Sequence, residues 1–550
     1  MSLIKPVFST TRYVPSQYST IQAAVLAAQA GDIIQVAGDR TYYEHVWINK
    51  TLTILGENPQ TTIVDGNGTG PCFDIEDAVN VVISGFTIQN AGNNSSGVIS
   101  EREFAGNSNN RIENNIIKNG LYGISLTGSD NNKILNNTIY DNPLGGILIS
   151  NSDGTNATGN AISESMHGIR VALSFDTKIV GNTITQTSNG IDITSGSTGT
   201  IISYNTITGV SNGIYSNSDS NTIDHNTITN GAVGVYLYGS RNSQIHYNTI
   251  TIPHGTGIKF YHTATTTATH QVTNNKILKA DWAIHMTNSY NNVLWGNWVQ
   301  DNTNLVYLAA SSSNTFYRNN FINNIQAYIA GTNYWDLSGN GNHWSDHTSP
   351  DTDGNGIVDT SYTVAPNNID DYPLTYTWSQ HDITVQSVTP SATEVNPGTI
   401  VTITVTVKNI ANISSTETFT VTTKYNNTII STQQVTALAQ GAARILTFNW
   451  DTTGLQSGNY IINAEASTVT EELNTENNKR TGDTVKIKVP LIGDINSDGK
   501  INNADLILLM QAYGSSVGES TWNPNADLDG DNKITIADLG ILGKNYSSTN

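Results

Sequence analysis

Two acidic segments near the C-terminus place oxygen-bearing side chains on alternate residues. They read GDINSDGKINNADL at 493–506 and ADLDGDNKITIADL at 526–539. Carboxylate, amide and hydroxyl oxygens in alternation, with one main-chain carbonyl among them, are typical ligands of Ca²⁺. We predict one Ca²⁺ ion in each segment, with Lys500 and Lys533 as the carbonyl donors. The predicted ligands are Asp494, Asn496, Asp498, Lys500, Asn502 and Asp505 in the first segment and Asp527, Asp529, Asp531, Lys533, Thr535 and Asp538 in the second.

A helix is predicted after each acidic segment but not before it. The sequences LILLMQAYG and LGILGKNYS can form helices, whereas Pro490 and Pro524 interrupt the segments that precede the loops. This duplicated half of an EF-hand closely resembles a dockerin, although Asn532 replaces the turn glycine that the first loop has at Gly499. A calcium sensor is disfavoured, because a sensor needs a pair of helices that can open.

The resemblance to dockerins implies that residues 491–550 bind a cohesin domain of a scaffold or cell-surface protein. It places the partner contacts just before and along the exiting helices. The Ser-Thr pair that is familiar in dockerins is absent, so we expect a cohesin specificity of its own. The predicted partner-binding residues are Asn503, Ala504, Leu506, Ile536, Ala537 and Leu539.

A third acidic segment, DTDGNGIVD at 351–359, has the same alternation of oxygen ligands. Gly356 supplies the turn, but Tyr362 stands where the last carboxylate is expected, so Asp370 or Asp371 would have to complete the shell. We predict one structural Ca²⁺ ion here, within a C-terminal cap over 333–375; the alternative is a polar turn without metal. The predicted ligands are Asp351, Asp353, Asn355, Ile357 through its carbonyl, and Asp359.

The central part of the chain is repetitive. An asparagine followed two residues later by an aliphatic residue recurs at intervals of 21 to 27 residues between positions 115 and 320. A small residue followed by an aliphatic one keeps the same spacing, as at Gly123-Ile124 and Gly257-Ile258. Such short alternating strands bury a core only when they stack coil on coil. We predict a parallel β-helix with about ten 22-residue coils over 100–330, whose asparagines form hydrogen-bonded ladders and tolerate left-handed backbone at the corners.

The segment 18–57, ahead of the repeats, is predicted to be an N-terminal cap. Ser19 and Gln22 form a capping box, and an apolar helical face follows before Gly31. Such a helix would cover the open end of the stacked strands. This stretch and the coils resemble NosD-like and other carbohydrate-binding and sugar-hydrolase right-handed β-helix proteins. The resemblance implies a right-handed parallel β-helix over 1–378 and leaves its activity open.

If the aliphatic residue after each small residue points inward, the next residue lies on the outside of every coil. Tyrosine rings there can stack on sugars while charges orient hydroxyl or carboxyl groups. We therefore predict a glycan-binding face through its tyrosines; the alternative is a solvated face whose aromatic residues stabilise neighbouring strands. The outer column is Ser125, Leu148, Arg170, Asp192, Tyr215, Tyr236, Lys259, His285 and Tyr307, with Tyr238 and Tyr261 beside it.

Catalysis on this face would need acid and base groups from the same column. Asp192 is its only carboxylate, whereas glycoside hydrolysis requires two. A polysaccharide lyase would instead use Lys259 or Arg170 as the base, and His285 is a further candidate. The signatures of polygalacturonases (NTDG with GHG), pectate lyases (RxPxxR) and pectin methylesterases (GTVDFIFG) are absent. Whether the protein is an enzyme therefore stays open.

The longest coil concentrates four of the eleven histidines, His254, His262, His270 and His285. A transition-metal site is one interpretation, and the NosD-like resemblance implies copper as the metal to consider. The spacings match no compact ligand motif, so a structural role is preferred.

Residues 382–489 change to long alternating strands such as TIVTITVTVKN and ARILTFNW. About seven strands with turn residues between them predict an Ig-like β-sandwich. The run from His381-Asp382 through NPGTIVTITVTVKN to EELNTENN resembles the cell-adhesion-related CARDB domain of secreted bacterial and archaeal proteins. That resemblance implies a spacer or adhesive module without catalysis.

Composition limits the compartment and the partners. A net charge of −20 would repel a phosphate backbone, so nucleic acid is not an expected partner. The single cysteine excludes an intrachain disulfide, and no apolar run reaches the length of a membrane span. The first residues lack the apolar core of a signal peptide. With these modules we expect a secreted or cell-surface protein whose signal peptide is absent from this chain.

The predicted fold class is all-β: a right-handed parallel β-helix with a helical N-cap, an Ig-like β-sandwich and a small α-helical calcium-binding dockerin. In the leading interpretation the β-helix binds an extracellular polysaccharide and the dockerin anchors the protein to a cohesin-bearing partner. One alternative is a polysaccharide lyase or glycoside hydrolase delivered by the dockerin. The other is a structural surface or adhesin protein without a small ligand.

Overall fold

The computed structural model describes residues 9–546 except 93, 268, 325, 489 and 490. The chain divides into two compact units after Trp378. Strands dominate both units, and the described part contains three α-helices, Ile21–Ala27, Asn503–Ala512 and Ile536–Asn545. None of these helices is long and apolar enough to cross a membrane. The predicted all-β class is confirmed.

The first unit is a parallel β-solenoid of about 15 turns. Each turn contributes short strands to up to three faces. The first face is one parallel sheet with 14 strands in the described part of the chain: Thr11–Val14, Ile33–Val36, Thr53–Gly56, Val82–Ser84, Arg111–Glu113, Lys133–Leu135, Asn156–Thr158, Lys178–Val180, Ile201–Ser203, Thr222–Asp224, Gln244–His246, Gln271–Thr273, Val293–Trp295 and Thr315–Tyr317.

The second and third faces are parallel strips joined by the two strands that span both, Ala161–Ala172 and Thr183–Ile193. The other second-face strands are Arg40–Tyr43, Thr62–Asp65, Thr87–Gln89, Ile116–Lys118, Thr138–Tyr140, Thr206–Thr208, Thr227–Thr229, Thr249–Thr251, Lys276–Leu278, Trp298–Gln300, Asn320–Ile322 and His343–Trp344. The other third-face strands are Val46–Ile48, Phe73–Glu76, Val98–Asn107, Tyr122–Asp130, Asn142–Ser150, Asn212–Ser216, Val233–Tyr238, Thr256–Thr267, Trp282–Tyr290, Asn304–Ala309 and Gln326–Ile329.

The solenoid core consists of the aliphatic residues that the sequence pattern placed inward. In a three-residue strand such as Lys133–Leu135 only the middle residue, Ile134, is buried. Neighbouring coils place an equivalent residue above and below it, so that 65 buried apolar residues among those described form one continuous cluster. Burial of each aliphatic side chain stabilises the fold by roughly 1.5–3 kcal/mol, which isolated three-residue strands could not obtain.

One buried asparagine per coil forms the predicted ladder, which is confirmed. In each step the side-chain Nδ2 donates to Oδ1 of the asparagine one coil further along, at 2.9 to 3.2 Å. The last member donates to Asp370 Oδ2 at 3.2 Å. The ladder contains Asn115, Asn137, Asn160, Asn182, Asn205, Asn226, Asn248, Asn275, Asn297, Asn319 and Asn342.

Two details of the predicted repeat were wrong. At the tenth coil the ladder member is Asn319, and its neighbour Asn320 instead binds the main chain of Trp378 through both amide atoms, at 2.7 and 2.8 Å. The left-handed backbone lies on the residue before the ladder asparagine, as at Asn136 (φ 54°) and Tyr204 (φ 56°). The ladder asparagine needs its own amide groups aligned along the solenoid axis, so the corner bends one residue earlier.

The N-terminal cap is smaller than predicted. The helix Ile21–Ala27 begins at Thr20 rather than Ser19, because Thr20 Oγ1 accepts from Ala23 N at 3.0 Å. Glu44 accepts from the main-chain N–H groups of Ile21 and Gln22, at 2.9 Å each. The rest of 18–57 already forms coils, so the solenoid begins well before residue 100. These early coils lack the asparagine marker and were therefore not recognised as repeats.

A small cap follows the last coil, where Tyr362–Ala365 pairs with Asn368–Asp370.

In the second unit, a three-stranded sheet and a five-stranded sheet, both mainly antiparallel, form a β-sandwich. Their eight strands are close to the seven that the sequence predicted. The first sheet contains Ile383–Pro390, Ile400–Asn409 and Ala443–Asp451. The second contains Glu394–Val395, Lys479–Ile487, Gly458–Ala466, Thr416–Tyr425 and Thr428–Ala439. The helices Asn503–Ala512 and Ile536–Asn545 complete the unit, with a 3₁₀ turn at Pro524–Ala526.

Candidate functional site

Strand pairing places the predicted outer column in one unbroken line on the third face. Its members pair in order as Ser125, Leu148, Arg170, Asp192, Tyr215, Tyr236, Lys259, His285 and Tyr307. The line continues to Tyr328, which pairs with Tyr307 and is 50% exposed. Sequence reasoning missed Tyr328, although one further period beyond Tyr307 would have found it. Ser125 and Asp192 are buried beneath their neighbours rather than exposed.

The C-terminal half of this line is rich in aromatic residues, and we call it the aromatic strip. It spans five coil steps from Tyr215 to Tyr328, roughly 24 Å at the usual strand spacing. An extended surface of this length fits a chain of sugar units better than a single one. The strip contains Tyr215, Tyr236, Tyr238, Lys259, Tyr261, Trp282, His285, Tyr307 and Tyr328.

The rings of the strip contact one another in both arrangements that aromatic pairs prefer. Tyr238 and Tyr261 stack with centroids 5.6 Å apart, whereas Tyr215 meets Tyr236 edge to face at 5.4 Å. Lys259 Nζ lies 4.8 Å from the centre of the Tyr236 ring, within cation–π distance. Ring pairs of this kind stabilise adjacent coils, and the partly exposed rings also offer contact area to a ligand.

The strip carries little charge at neutral pH. Burial raises the pKa of Tyr215 and Tyr236 above the ordinary tyrosine value, so both hydroxyls keep their protons and can donate hydrogen bonds. Burial and the nearby Lys259 lower the pKa of His285 to about 4, so its imidazole is neutral. The His285 ring lies 4.5 Å from that of Tyr307. Lys259 is therefore the cation among these four groups.

A second group of polar residues surrounds the buried carboxylate of Asp192. His167 Nδ1 lies 3.1 Å from Asp192 Oδ2, an ion-pair distance without hydrogen-bond angles, and Arg170 Nε lies 3.6 Å from the same oxygen. Burial raises the pKa of Asp192 despite both neighbours, and it lowers the pKa of His167. Sequence reasoning missed His167 because it lies three positions before Arg170, outside the regular alternation of the strand.

The four predicted catalytic residues fall into two separate groups. Arg170 lies beside Asp192, and Lys259 lies beside His285 on the adjacent coil. Asp192 and Lys259 are three coil steps apart, roughly 14 Å. One scissile bond cannot be reached by both, so the structure does not bring these four residues together as a single catalytic set.

The third acidic segment curls around its first carboxylate. Carboxylate oxygens of Asp351, Asp353 and Asp359 lie within 4.8 Å of one another. Asp351 also accepts main-chain N–H groups from Gly354 and Gly356, at 2.8 and 2.9 Å. The suggestion that Asp370 completes this shell is wrong. Its carboxylate is buried in the cap, where it ends the asparagine ladder and accepts from Trp344 Nε1 at 2.8 Å.

The two C-terminal loops have matching geometry. Asp505 Oδ1 accepts from Ile495 N at 2.8 Å, and Asp538 Oδ1 accepts from Leu528 N at 2.7 Å. Each of these buried aspartates also closes a capping box at the start of the exiting helix. In the second loop, Asp527, Asp529 and Asp531 bring carboxylate oxygens within 4.8 Å of one another.

The replacement of a turn glycine in the second loop preserves the turn. Gly499 has φ 83°, and Asn532 adopts the same left-handed backbone with φ 67°. Their N–H groups bond to equivalent carboxylates, Asp494 at 2.7 Å and Asp527 at 2.9 Å. Asparagine is one of the few residues that tolerates this conformation, so the departure from the family pattern does not distort the loop.

The predicted partner-binding residues lie at the accessible start of each helix. Asn503, Ala504, Ile536 and Ala537 are exposed, whereas Leu506 and Leu539 are half-buried. Two exposed apolar residues of the first helix were not predicted, Ile507 (56% exposed) and Met510 (52%).

The four histidines of the longest coil do not converge. His262 and His270 are buried, and the Nε2 atom of each lies 2.8 Å from the Ser240 carbonyl oxygen. His254 has a 95% exposed side chain, and His285 belongs to the aromatic strip. The structural role that the sequence favoured fits this arrangement.

Family models match four separate parts of the chain. The right handed beta helix region matches residues 62–228, and the periplasmic copper-binding protein (NosD) family matches 196–349. CARDB matches 380–482, and the dockerin type I domain matches 492–546. The chain is modular. The resemblances to a β-helix, a CARDB domain and a dockerin are confirmed. None of the curated proteins compared with the chain matches it.

Several solved structures are similar to parts of the chain. A CARDB domain from Pyrococcus furiosus, in complex with di-metal ions, is 30% identical and covers 21% of this chain and 94% of its own, with a TM-score of 0.18. The A-module of mannuronan C-5 epimerase AlgE6 from Azotobacter vinelandii is 17% identical over 58% of this chain and 93% of its own, with a TM-score of 0.43. The catalytic domain of a GH87 alpha-1,3-glucanase with nigerose is 13% identical over 62% and 70%, with a TM-score of 0.40.

Proposed function

We propose that the aromatic strip binds an extracellular polysaccharide and that the C-terminal module anchors the protein to a cohesin domain. The observation that carries the first part is the line of partly exposed aromatic rings, interrupted in its column only by Lys259, that spans five coil steps. The second part is supported by the dockerin type I match over 492–546. Together they describe a secreted or cell-surface protein whose solenoid is a binding arm.

The chemistry of the strip favours a sugar polymer. The protonated tyrosine hydroxyls and the neutral imidazole of His285 can form hydrogen bonds without carrying a charge, and the aromatic rings give apolar contact area. Lys259 supplies one positive charge at the centre, which would favour a polymer that carries some carboxyl groups. Because the whole chain has a net charge of −20, a positive charge on this face contrasts with the acidic character of the protein.

Calcium is proposed for all three acidic loops, with two ions in the C-terminal module and one in the solenoid cap. Clustered carboxylate oxygens at Asp351, Asp353 and Asp359, and at Asp527, Asp529 and Asp531, repel one another without a cation. The ions would fold the loops and so fix the exposed helix starts that contact the cohesin.

Affinity electrophoresis of the full chain in gels that contain neutral or uronate polysaccharides tests the strip. The variants Tyr238→Ala and Tyr307→Ala should weaken binding by about tenfold or more, which corresponds to 1.4 kcal/mol. Tyr43→Ala is the matched control, because Tyr43 is 70% exposed on the second face of the same solenoid. Equal binding by all three variants would place the glycan elsewhere, and no binding to any polysaccharide would favour an adhesin role.

A second candidate is cleavage of the bound polymer, favoured by the buried Asp192. Its raised pKa suits a proton donor, and His167 and Arg170 lie within 3.6 Å of it. Product analysis on polyuronates and neutral polysaccharides should then show new unsaturated or reducing ends that Asp192→Asn abolishes. If the wild-type chain binds a polymer without producing such ends, the enzyme is excluded and binding remains.

Cohesin capture tests the C-terminal module. A panel of purified cohesin domains is offered to the full chain in Ca²⁺ and in a chelator. Capture should require Ca²⁺ and should be lost in Ile536→Asp, because Ile536 is 68% exposed at the start of the second helix. Tyr334→Asp, on the solenoid and 57% exposed, is the control. Failure of every cohesin to bind in Ca²⁺ would contradict the anchoring role.

A further inference from the structure

An open pocket with a volume of about 350 Å³ lies on the five-stranded sheet of the β-sandwich. It is separate from the solenoid and from all three acidic loops. The strands that line it are Thr416–Tyr425, Gly458–Ala466 and Lys479–Ile487. We call this site the basic pocket, and its charged lining residues are Lys424, Glu465, Lys479 and Arg480.

Positive charge exceeds negative charge in the basic pocket. Glu465 is the one acidic residue among the described residues that line it, so Lys424, Lys479 and Arg480 leave two positive charges in excess. In the part of the chain that the structure describes, Arg480 makes no ion pair. The whole chain has a net charge of −20 and only 25 lysines and arginines among its 550 residues. Three of these cations around one pocket are therefore an unusual concentration.

Glu465 holds two of the three cations in place. Lys424 Nζ donates to Glu465 Oε2 at 3.0 Å, and Lys479 Nζ lies 2.9 Å from Oε1 of the same carboxylate. The hydrogen bonds from Lys479 and Lys424 lower the pKa of Glu465, so this carboxylate is charged at neutral pH. An ammonium group has three N–H donors, and each lysine uses one on Glu465. Further donors of both lysines are therefore available to a second anion.

An ion pair that only stabilised the sheet would need a single lysine for Glu465. Exposed cross-strand pairs contribute little to stability, and a second lysine beside the same carboxylate repels the first. Arg480, the next residue after Lys479, adds a third positive charge. An additional anion relieves this repulsion, so the arrangement suits ligand binding better than it suits strand pairing.

Apolar side chains lie next to the charged groups. Ile461, Asn463 and Glu465 occupy alternate positions of one strand, so their side chains share a face of the sheet. Lys424 pairs with Asn463 on one side and with Ile429 on the other. Ile461 is 44% exposed and Ile429 is 61% exposed. An inorganic anion gains nothing from these two side chains, whereas the C–H face of a sugar ring can pack against them.

We propose that the basic pocket binds the carboxylate of an acidic sugar unit in a polysaccharide. The ammonium groups of Lys424 and Lys479 and the guanidinium of Arg480 donate to the carboxylate oxygens, since charge-assisted hydrogen bonds of this kind are the strong ones. Ile429 and Ile461 pack against the sugar ring. The site belongs to the β-sandwich and does not depend on the aromatic strip, so the module is more than a spacer.

The test uses the full chain with the aromatic strip disabled by Tyr238→Ala and Tyr307→Ala. Isothermal titration calorimetry measures the binding of hexagalacturonate, with neutral maltohexaose as the comparison ligand. Hexagalacturonate should bind more weakly as salt is added, because the attraction is electrostatic, and maltohexaose should not bind. Adding Lys479→Gln with Arg480→Gln should weaken hexagalacturonate binding by about tenfold or more. The matched control is Lys486→Gln, because Lys486 is exposed on the same strand and pairs with Glu394 instead.

Lys479 and Arg480 are both exposed, so their substitution should leave the sandwich folded, which near-ultraviolet circular dichroism checks. The proposal is overturned if the strip-disabled chain does not bind hexagalacturonate; binding by the wild-type chain alone would then belong to the strip. It is also overturned if the Lys479→Gln, Arg480→Gln chain binds as tightly as the Lys486→Gln chain. Displacement of hexagalacturonate by an equal concentration of inorganic sulfate would contradict a sugar ligand.

Discussion

The solenoid and the C-terminal helical module organise their polar groups in opposite ways. The described part of the solenoid contains 65 buried apolar residues and aligns uncharged asparagines, each of which donates to the next. The helical module has seven buried apolar residues in its described part, and its turns are built from carboxylates. An amide is both donor and acceptor, so a stack of amides satisfies itself. A carboxylate is only an acceptor, so a cluster of carboxylates needs a partner from outside.

The two regions therefore differ in what their folding depends on. For a core as small as that of the helical module, hydrophobic burial alone rarely supplies enough stability, and a bound metal commonly supplies the rest. The solenoid can propagate without a cofactor because every coil repeats the same burial and the same hydrogen bonds.

Chelation should produce the largest difference between the two regions. In EDTA, residues 491–546 should unfold, because the carboxylates of the two loops would repel one another without Ca²⁺. Hydrogen exchange measured by mass spectrometry should show loss of protection in Asn503–Ala512 and Ile536–Asn545, while strands such as Thr206–Thr208 stay protected. Asp494→Asn combined with Asp527→Asn should reproduce the effect in Ca²⁺. Unchanged protection of both helices in EDTA would remove the contrast altogether.

Removal of one ladder amide should be the most damaging single change in the solenoid. Asn205 donates to Ile179 O and Asn226 Oδ1, both at 2.9 Å, and accepts from Asn182 N at 2.9 Å. Asn205→Ala leaves these groups buried without partners, so we expect a loss of roughly 3–5 kcal/mol in the free energy of unfolding. Urea denaturation followed by tryptophan fluorescence measures it. Thr206→Ala, at an exposed neighbouring position, should cost little; comparable losses would mean that the ladder is not what holds the coils.

Acid should destabilise the solenoid through His270. This imidazole accepts from Ser243 N at Nδ1 (3.1 Å) and lies 2.8 Å from the Ser240 carbonyl through Nε2, so the neutral form is held. Burial lowers its pKa from 6.5 to about 3. Between pH 6.5 and 3 the unfolded chain binds a proton that the folded chain does not, so stability falls as pH falls, by about 2–4 kcal/mol.

Melting temperatures of wild-type, His270→Gln and His254→Gln chains, measured between pH 7 and 4, test this sign. The slope should flatten in His270→Gln and stay as in the wild type in His254→Gln, whose side chain is 95% exposed in the same coil. Identical slopes in all three would show that His270 is not the group responsible.

The smallest effect on stability should come from the aromatic strip. Tyr238 stacks on Tyr261 at 5.6 Å, and a cross-strand aromatic pair of this kind contributes roughly 1 kcal/mol. Tyr238→Ala should therefore lower the free energy of unfolding far less than Asn205→Ala, although it should weaken polysaccharide binding. A loss as large as that of Asn205→Ala would mean that the strip is mainly a structural ladder.

Much of the solenoid could be predicted because its physics is repetitive. Residues equivalent to Asn205 and Gly213 recur about once per coil, and equivalent residues of neighbouring coils contact each other. The spacing in the sequence therefore already predicts which residues are in contact. Gly213 is required because a Cβ atom there would lie 2.4 Å from the Gly234 carbonyl oxygen of the next coil. The same regularity places Tyr215, Tyr236 and Lys259 in one column by their spacing alone, and the strand pairing agrees.

What the sequence did not reveal lies where the repetition ends. In the coil before Asn115, Phe86 stands where later coils have the marker asparagine, and its N–H donates to Asn115 Oδ1 at 3.0 Å. His167 contacts Asp192 from an irregular position of its strand. In the β-sandwich, Asn477 Nδ2 donates to Asp382 Oδ1, 95 positions away in the sequence, a contact that no local pattern encodes.

The asparagine ladder has a direction, because every side chain donates toward the C-terminal coil. A further coil that offers an amide at the same position would extend such a row of aligned dipoles. Asp370 accepts the last Nδ2 and has no N–H to pass on, so the sequence of hydrogen bonds stops there. The one-way row of amide donors therefore ends on an acceptor that belongs to the C-terminal cap, so the cap completes the hydrogen bonding of the last coil.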